Sequence, residues 1–350
     1  MTKVIGIDLG DKKHIAVLFD ENGKESKPFS IPNTREGLNK TLTKHPGCTV
    51  VMEAGTHSPW ISRLVESCGC KAHVGQPRKL RAIWDADDKS DERDARMLGR
   101  LYRFDPNMVP PVFHRGERAQ VDLALIKSRN QLKESRQSLV NYARCTVKSF
   151  GERLSSCGSV SFATKTWDEV PEALHSALEG VYASIRTLTE QIKEMESKIH
   201  WMCREDYQET QWLMQVCGVG PITALSFVLV LEDPGRFAKS REVGCFLGLT
   251  PRRDQSGETD KQLRITKSGD KMLRCLLVNC ATYILRDASP DCDLKRFGQR
   301  LGERGGKRGH KCAKVAVARK LAVMLHRLWK DQAAYDPNHL KAKGVSDVAA

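Results

Sequence analysis

Apolar side chains come first in runs of about four to eight residues, the length of buried strands. Residues 3–9 (Lys-Val-Ile-Gly-Ile-Asp-Leu) predict one strand and residues 13–20 (Lys-His-Ile-Ala-Val-Leu-Phe-Asp) a second. The turn Glu21-Asn22-Gly23-Lys24 leads to a third near 25–31, and Asn-Gly between apolar runs is a strong hairpin signal. Thr34 is placed to cap a helix reaching about His45. A fourth strand at 48–53, a helix near 58–68, a fifth strand near 71–75 and helical sequence through about Arg103 follow.

The period then lengthens. Apolar residues at Leu174, Leu178, Val181, Ile185, Leu188, Ile192, Met195, Ile199 and Met202 recur in alternating steps of four and three, which is a heptad seam. A less regular helical stretch covers about 117–150. The two segments can pair as an antiparallel hairpin within one chain or meet between chains, and a role in oligomer contacts is the favoured use. Gly218-Val219-Gly220-Pro221 falls between two helical segments, like the turn of a helix-hairpin-helix motif. The backbone N–H groups of such a turn, with the following helix N-terminus, can hold a DNA phosphate without reading sequence. Pro221 suits a first helical turn; the plainer reading is an ordinary helix-to-helix connection. Residues 246–270 read as small, polar, basic loops before a helix at about 270–287. Residues 295–330 are basic again, amphipathic from Ala313 to Trp329, and the stretch after about 335 carries no pattern and is expected to be disordered.

A length of 350 residues suggests two or three domains, and 40% hydrophobic residues can fill real cores. No apolar run is long enough to span a bilayer and no secretory signal opens the chain, so a cytoplasmic protein is expected. Of the 12 cysteines only Cys68 and Cys70 are close, and no Cys-x-x-Cys pair exists. They read as core residues in a reducing compartment rather than a disulfide or zinc framework. A net charge of +14 and a pI near 9.3 are the footprint of a protein that binds a polyanion.

Four acids carry the sharpest chemistry. Asp8 ends the run Val4-Ile5-Gly6-Ile7, Glu53 ends Thr49-Val50-Val51-Met52, and Asp91 and Asp94 stand three apart on helical sequence. Residues at i and i+3 share a helix face. Three antiparallel strands followed by alternating helix and strand is the order of a ribonuclease-H-like sheet, whose first and fourth strands are central neighbours. That order brings Asp8 beside Glu53 with the Asp91/Asp94 helix packed across them. Hard divalent cations such as Mg²⁺ take carboxylate oxygens, and two-metal sites use them in phosphodiester displacement. Gly6 and Gly10 flank Asp8 and Gly55 follows Glu53, where glycine permits close approach. Farther on, Arg252, Arg253, Arg264 and Lys267 can neutralise a phosphate around Ser256, although a Ser-Gly pair in a basic loop is by residue type most often a turn.

With these motifs in view, the chain resembles the DEDD transposases of the insertion sequence 110 family, which include the Piv-type invertases. The resemblance covers about residues 3 to 330. It is carried by Gly6-Ile7-Asp8-Leu9-Gly10, Met52-Glu53-Ala54-Gly55 and Asp91-Glu92-Arg93-Asp94-Ala95, then by Gly218-Val219-Gly220-Pro221-Ile222-Thr223-Ala224, Phe246-Leu247-Gly248-Leu249-Thr250-Pro251, Ser256-Gly257-Glu258 and Arg264-Ile265-Thr266-Lys267-Ser268-Gly269-Asp270. It implies an α/β plus α fold: a RuvC-like (ribonuclease-H-fold) domain over 1–112, a helical coiled-coil region over 113–206, a mainly helical C-terminal transposase domain over 207–335, and a tail over 336–350.

The resemblance further implies that Asp8, Glu53, Asp91 and Asp94 bind Mg²⁺. It implies that Ser256 attacks the phosphodiester to form a covalent protein–DNA intermediate, in an active site composed from both domains. A structured bridge RNA that pairs with donor and target DNA, and a dimeric or tetrameric assembly, are implied partners. Two departures stand out. The serine turn lacks the usual double glycine, and Ser268 occupies a position where a basic residue is common, which makes it a rival nucleophile. Three other readings remain open from the residues: a hydrolytic nuclease of the Holliday-junction-resolvase type, an actin-like ATPase suggested by Gly6-Ile7-Asp8-Leu9-Gly10, and a non-catalytic nucleic-acid-binding protein. No second phosphate loop or adenosine motif supports the ATPase.

Overall fold

The computed structural model describes residues 2–80, 90–257, 259–303 and 305–339. They form two compact units that divide between Gly116 and Glu117. Glu258 of the serine turn and most of the expected tail, from Leu340 onward, lie outside the described residues.

In the first unit β1 (Val4–Asp8), β2 (Lys13–Phe19), β3 (Phe29–Pro32), β4 (Thr49–Glu53) and β5 (Lys71–Gly75) form one sheet in the order β3-β2-β1-β4-β5. β1 pairs antiparallel with β2 and parallel with β4, so the first and fourth strands are the central neighbours anticipated above. Both are apolar without alternation because both faces are covered. Ile5, Ile7, Val50 and Met52 join a core with Leu38 and Leu42 of α1 (Arg35–Leu42) and Ile61, Leu64 and Val65 of α2 (Ser58–Ser67). Val4, Val17, Phe19 and Val51 pack on the other face against Ala95 and Leu98 of α3 (Asp91–Phe104).

Two boundaries differ from the sequence pattern. β3 starts at Phe29 rather than near residue 25, because Pro28 has no N–H to give the ladder; Glu25 makes only an isolated bridge to Phe19. α1 stops at Leu42, three residues short of His45. Its cap Thr34 accepts from Gly37 N as anticipated, and Pro46 disfavours helix in the residue before it.

The second unit begins with α4 (Glu117–Ser149), which runs antiparallel to α6 (His175–Glu205), with the short α5 (Phe162–Lys165) between them in the chain. Arg129 pairs with Glu196, and Arg136 Nη1 donates to Thr189 Oγ1 at 3.1 Å. These four residues form a polar layer between two apolar clusters. One holds Val140, Ala143 and Val147 with Leu178, Tyr182 and Ile185; the other joins Leu123 and Ile126 to Ile199 and Met202. Leu178, Ile185, Ile192 and Ile199 of the heptad seam are buried, while Val181, Leu188 and Met195 are half-buried. The helices thus use the seam inside the chain.

The second cluster continues into the C-terminal elements. α7 (Thr210–Met214) leads to α8 (Pro221–Leu231), in which every residue from Thr223 to Leu231 is buried, the mark of a helix at the centre of a core. Around it lie α9 (Glu242–Phe246), α10 (Lys271–Ile284), α11 (Asp293–Glu303) and α12 (Gly306–Asp331). The segment read as loops is in fact a β-ribbon: β6 (Pro251–Ser256) pairs antiparallel with β7 (Thr259–Ile265). Polar residues on both faces of the ribbon leave no period-two signal to find.

All 12 cysteines are free thiols, as expected, but only Cys48, Cys70, Cys203, Cys280 and Cys292 are buried. Cys145, Cys245, Cys275 and Cys312 are exposed, so the core reading holds for part of the set. Cys48 and Cys70, each just before one of the neighbouring strands β4 and β5, have their sulfurs 3.6 Å apart, and burial pushes the Cys48 thiol up to about 12. No described helix is long and apolar enough to cross a membrane.

Candidate active site and nucleic-acid interface

Strand alternation decides where the first two acids point. Gly6 and Asp8 on β1, and Val51 and Glu53 on β4, share the face that α3 covers. The parallel register Ile7↔Met52 ends the two strands side by side, so Asp8 and Glu53 are neighbours, both half-buried. α3 crosses β1 at a very close approach. A Cβ on Gly6 would overlap the Ala95 carbonyl oxygen and reach within 2.8 Å of Gly99 N. Gly99 in turn meets the ring of Phe19, whose partner is Val4 at the start of β1. α3 therefore runs antiparallel to β1, and its first turn, with Asp91 and Asp94, arrives at the end that carries Asp8. Ser90 caps that turn by accepting from Arg93 N at 3.3 Å.

The four acids share one end of the sheet, but among the described residues no three carboxylates, histidines or cysteines stand close enough together to hold one ion. An all-oxygen set still fits a hard divalent cation: Mg²⁺ is commonly held by one or two carboxylates plus substrate phosphates rather than by a closed protein cage.

The loop behind Glu53 is pinned by residues the sequence reading did not single out. Ser58 Oγ accepts from Gly55 N at 3.0 Å, donates to Gly55 O at 2.8 Å, and lies 2.9 Å from His114 Nε2. With its one proton given to Gly55, the hydroxyl accepts from His114, which fixes the ring proton on Nε2. Burial, with help from Arg115 and Arg63, lowers the His114 pKa and so favours the neutral ring. On the opposite face of β2, His14 is fully buried with its pKa lowered by burial and by His57. The outer side of α3 is tied down by Glu25, which accepts from Arg100 at 2.5 Å and from Arg96 at 3.1 Å.

In the second unit Ser256 is the last residue of β6, exposed at the tip of the ribbon and paired with Thr259; Gly257 follows with φ +55°, a turn conformation. Arg252, Arg264 and Lys267 are exposed. Arg253 is engaged across the ribbon by Asp260, which it contacts through both Nε and Nη2. The rival Ser268 is half-buried at the base of the ribbon, its hydroxyl 3.0 Å from Thr266 Oγ1.

Gly218 has φ +85° and packs against Tyr283, and Gly220 is the N-cap of α8 with Pro221 in its first turn. The two glycines border a groove of about 500 Å³ that also takes in Asn279, Tyr283 and Arg286. The basic stretch beyond it is less open than its composition suggests. Lys295 is buried, donating to Asp287 O at 2.9 Å and Ser289 O at 2.6 Å, and Arg296 pairs with Asp291 and Asp293.

Comparison with known proteins fits both halves. A family described as "Transposase IS116/IS110/IS902 family" matches residues 210–293, and the DEDD transposase family of IS110 elements matches residues 5–151. The chain belongs to the IS110 family of transposases. It is similar to the transposase for insertion sequence element IS1111A of Coxiella burnetii, 26% identical over 346 residues that cover 95% of this chain and 91% of that one. The transposase for IS1328 of Yersinia enterocolitica is 29% identical over 289 residues, 81% of this chain and 84% of its own. A probable family 20 transposase of Pseudomonas aeruginosa is 27% identical over 300 residues, 83% and 87% of the two chains. The protein is accordingly a DNA-binding enzyme that cuts and rejoins DNA, and its DEDD domain is of a kind that typically uses divalent metal ions.

Proposed function

We propose that this IS110-family transposase exchanges DNA strands through a serine-linked intermediate, with Asp8, Glu53, Asp91 and Asp94 holding Mg²⁺ and Ser256 as the nucleophile. The observation that carries the reading is the meeting of β1, β4 and the first turn of α3 at one end of the sheet, on the face where Asp8 and Glu53 project. A bound ion would polarise the phosphate and offset its charge. The Ser256 hydroxyl gives up its proton and its oxygen bonds to phosphorus; the sugar oxygen leaves with the bond's electron pair and takes up a proton. The serine phosphodiester so formed keeps the energy of the broken bond, so a new strand end can reverse the step without ATP.

Gly218 and Gly220, with the open first turn of α8, suit a backbone phosphate, and Arg252, Arg264 and Lys267 suit the charge around the scissile strand. Arg253, already paired with Asp260, contributes less. The second reading of the sequence, hydrolysis by water at the same acids, leaves no protein–DNA adduct. Donor and target choice is assigned to a structured bridge RNA: the charge of +14 is ample for two nucleic acids, and no compact base-reading module is recognisable in the sequence. A dimer or tetramer follows from the chemistry, since one serine holds one strand end at a time and two duplexes need several cuts.

The deciding experiment separates binding from chemistry. Asp8→Ala and Asp94→Ala should abolish strand transfer with DNA binding within about twofold of wild type. Ser256→Ala should lose the gel-stable protein–DNA adduct that Ser268→Ala retains. Near-normal strand transfer in either acid variant defeats the metal assignment, and an adduct that survives Ser256→Ala defeats the serine assignment. Site-specific recombination unaffected by RNase removes the RNA.

A further inference from the structure

The ribbon β6–β7 stands clear of the core. Arg252 through Ser256, Thr259 through Lys261, Leu263 and Arg264 are exposed, and among the described residues no third strand joins the pair. A two-stranded ribbon is marginal alone, so the direction in which this one carries its tip is set at its base. There the two legs touch backbone to backbone. Gly248, at φ +67°, leaves no room for a Cβ against the Ser268 backbone, and Gly269, at φ +73°, leaves none against Phe246 O. Thr266 N donates to Thr250 O at 2.9 Å and Lys267 N to Gly248 O at 3.1 Å.

Beneath this crossing lies one buried guanidinium. Arg274, in the first turns of α10 and only 9% exposed, uses Nη1 to bond Leu247 O at 3.0 Å and Ser268 O at 2.7 Å, with Asp270 O at 3.5 Å. Leu247 precedes the first leg of the ribbon and Ser268 follows the second, so a single side chain ties both legs to the rigid helix. We propose that Arg274 is a positioning residue: it fixes the ribbon's exit from α10 and so sets where Ser256 is delivered. The role rests on the reading of Ser256 as nucleophile. It touches no reacting atom; it acts through the backbone, where displacement of about 1 Å is enough to cost about a hundredfold in rate.

The test uses the full chain in cells that carry the complete insertion sequence. Adduct per protein-occupied DNA end is read by gel-stable linkage, occupancy by formaldehyde cross-linking. Arg274→Gln should lower adduct per occupied end by about a hundredfold with occupancy within about twofold. Arg274→Lys, which keeps a donor and the charge but not the planar fork, should recover about tenfold of that loss. On purified protein, hydrogen exchange at the Thr266 and Lys267 amides should speed up in Arg274→Gln while the amides of α8 stay protected. Undiminished adduct in Arg274→Gln, or adduct and occupancy falling together with no recovery in Arg274→Lys, overturns the role. If Arg274→Gln does not fold, unchanged exchange at Thr266 and Lys267 in Arg274→Lys overturns it as well. An adduct that survives Ser256→Ala removes the serine reading and this role with it. An adduct lost in Ser256→Ala but intact in Arg274→Gln removes this role alone.

Discussion

Gly6→Ala is the most economical probe of how the acids are brought together. The new methyl would point at α3, where it would overlap Ala95 O and stand 2.8 Å from Gly99 N. Ordinary contact begins at 3.4 Å, so the helix must retreat by at least 0.6 Å, and by more to clear the carbonyl. Both obstacles are backbone, so no rotamer change relieves them. Overpacking of this kind costs about 1–3 kcal/mol. The consequence for chemistry is larger, because catalytic groups tolerate only about 0.5 Å of displacement and the first turn of α3 moves away from β1 and β4. Strand transfer should fall about a hundredfold while DNA binding is retained. Gly55→Ala is the control: it lies two residues past Glu53, but nothing stands within 4 Å of its added methyl. That change should stay within about 0.5 kcal/mol and keep its activity. Chemical denaturation gives the stability term, and a strand-transfer assay across a Mg²⁺ titration gives the rest. Wild-type activity in Gly6→Ala, or equal losses in the two variants, would refute the argument that the Gly6 crossing sets the acids' spacing.

Two further outcomes follow from the charges. His14 and His326 are buried and His114 is half-buried, and all three have pKa values lowered from 6.5, desolvation by burial being the largest cause in each. A depressed folded value means that the unfolded chain takes up protons first, so stability is full above about pH 6.5 and is lost as pH falls through the lower folded values; melting temperatures that stay flat from pH 7.5 to 5.5 would contradict this. In DNA binding, Arg252→Ala and Arg264→Ala should each reduce the slope of log affinity against log salt by about 1. Arg253→Ala should change it less, because Asp260 already neutralises that guanidinium; equal slopes for all three would show that the ion pair opens on binding.

The sheet was legible because its central strands β1 and β4 are buried on two faces and carry unbroken apolar runs, with Asn22-Gly23 marking a turn and Thr34 a helix start. The juxtaposition of Asp8 and Glu53 follows from strand order alone. The ribbon holding Ser256 was not legible, since residues such as Arg252, Asp254, Lys261 and Arg264 give neither face an apolar stripe. Arg274 did leave a trace: it sits on the buried stripe of α10 between Leu273 and Leu277, where a charge demands buried partners. Its partners are three carbonyls distant from any motif, and those only the folded chain reveals. Likewise, the Arg253–Asp260 pair depends on a hairpin register that residue types do not specify.

The polar layer in the α4–α6 hairpin acts as a ruler. Arg129 faces Glu196 and Arg136 faces Thr189. Sliding one helix by a heptad in one direction would set Arg129 against the buried Cys203; in the other it would set Glu196 against Asp122. Apolar layers alone would tolerate either slip, whereas either one separates the half-buried Arg129 and Glu196 from each other, which disfavours it. The arm therefore has one length. Its 33-residue strut spans about 50 Å, and its outer end, with Tyr142, Phe150 and Val160 exposed, is held at a single measured distance from the C-terminal core.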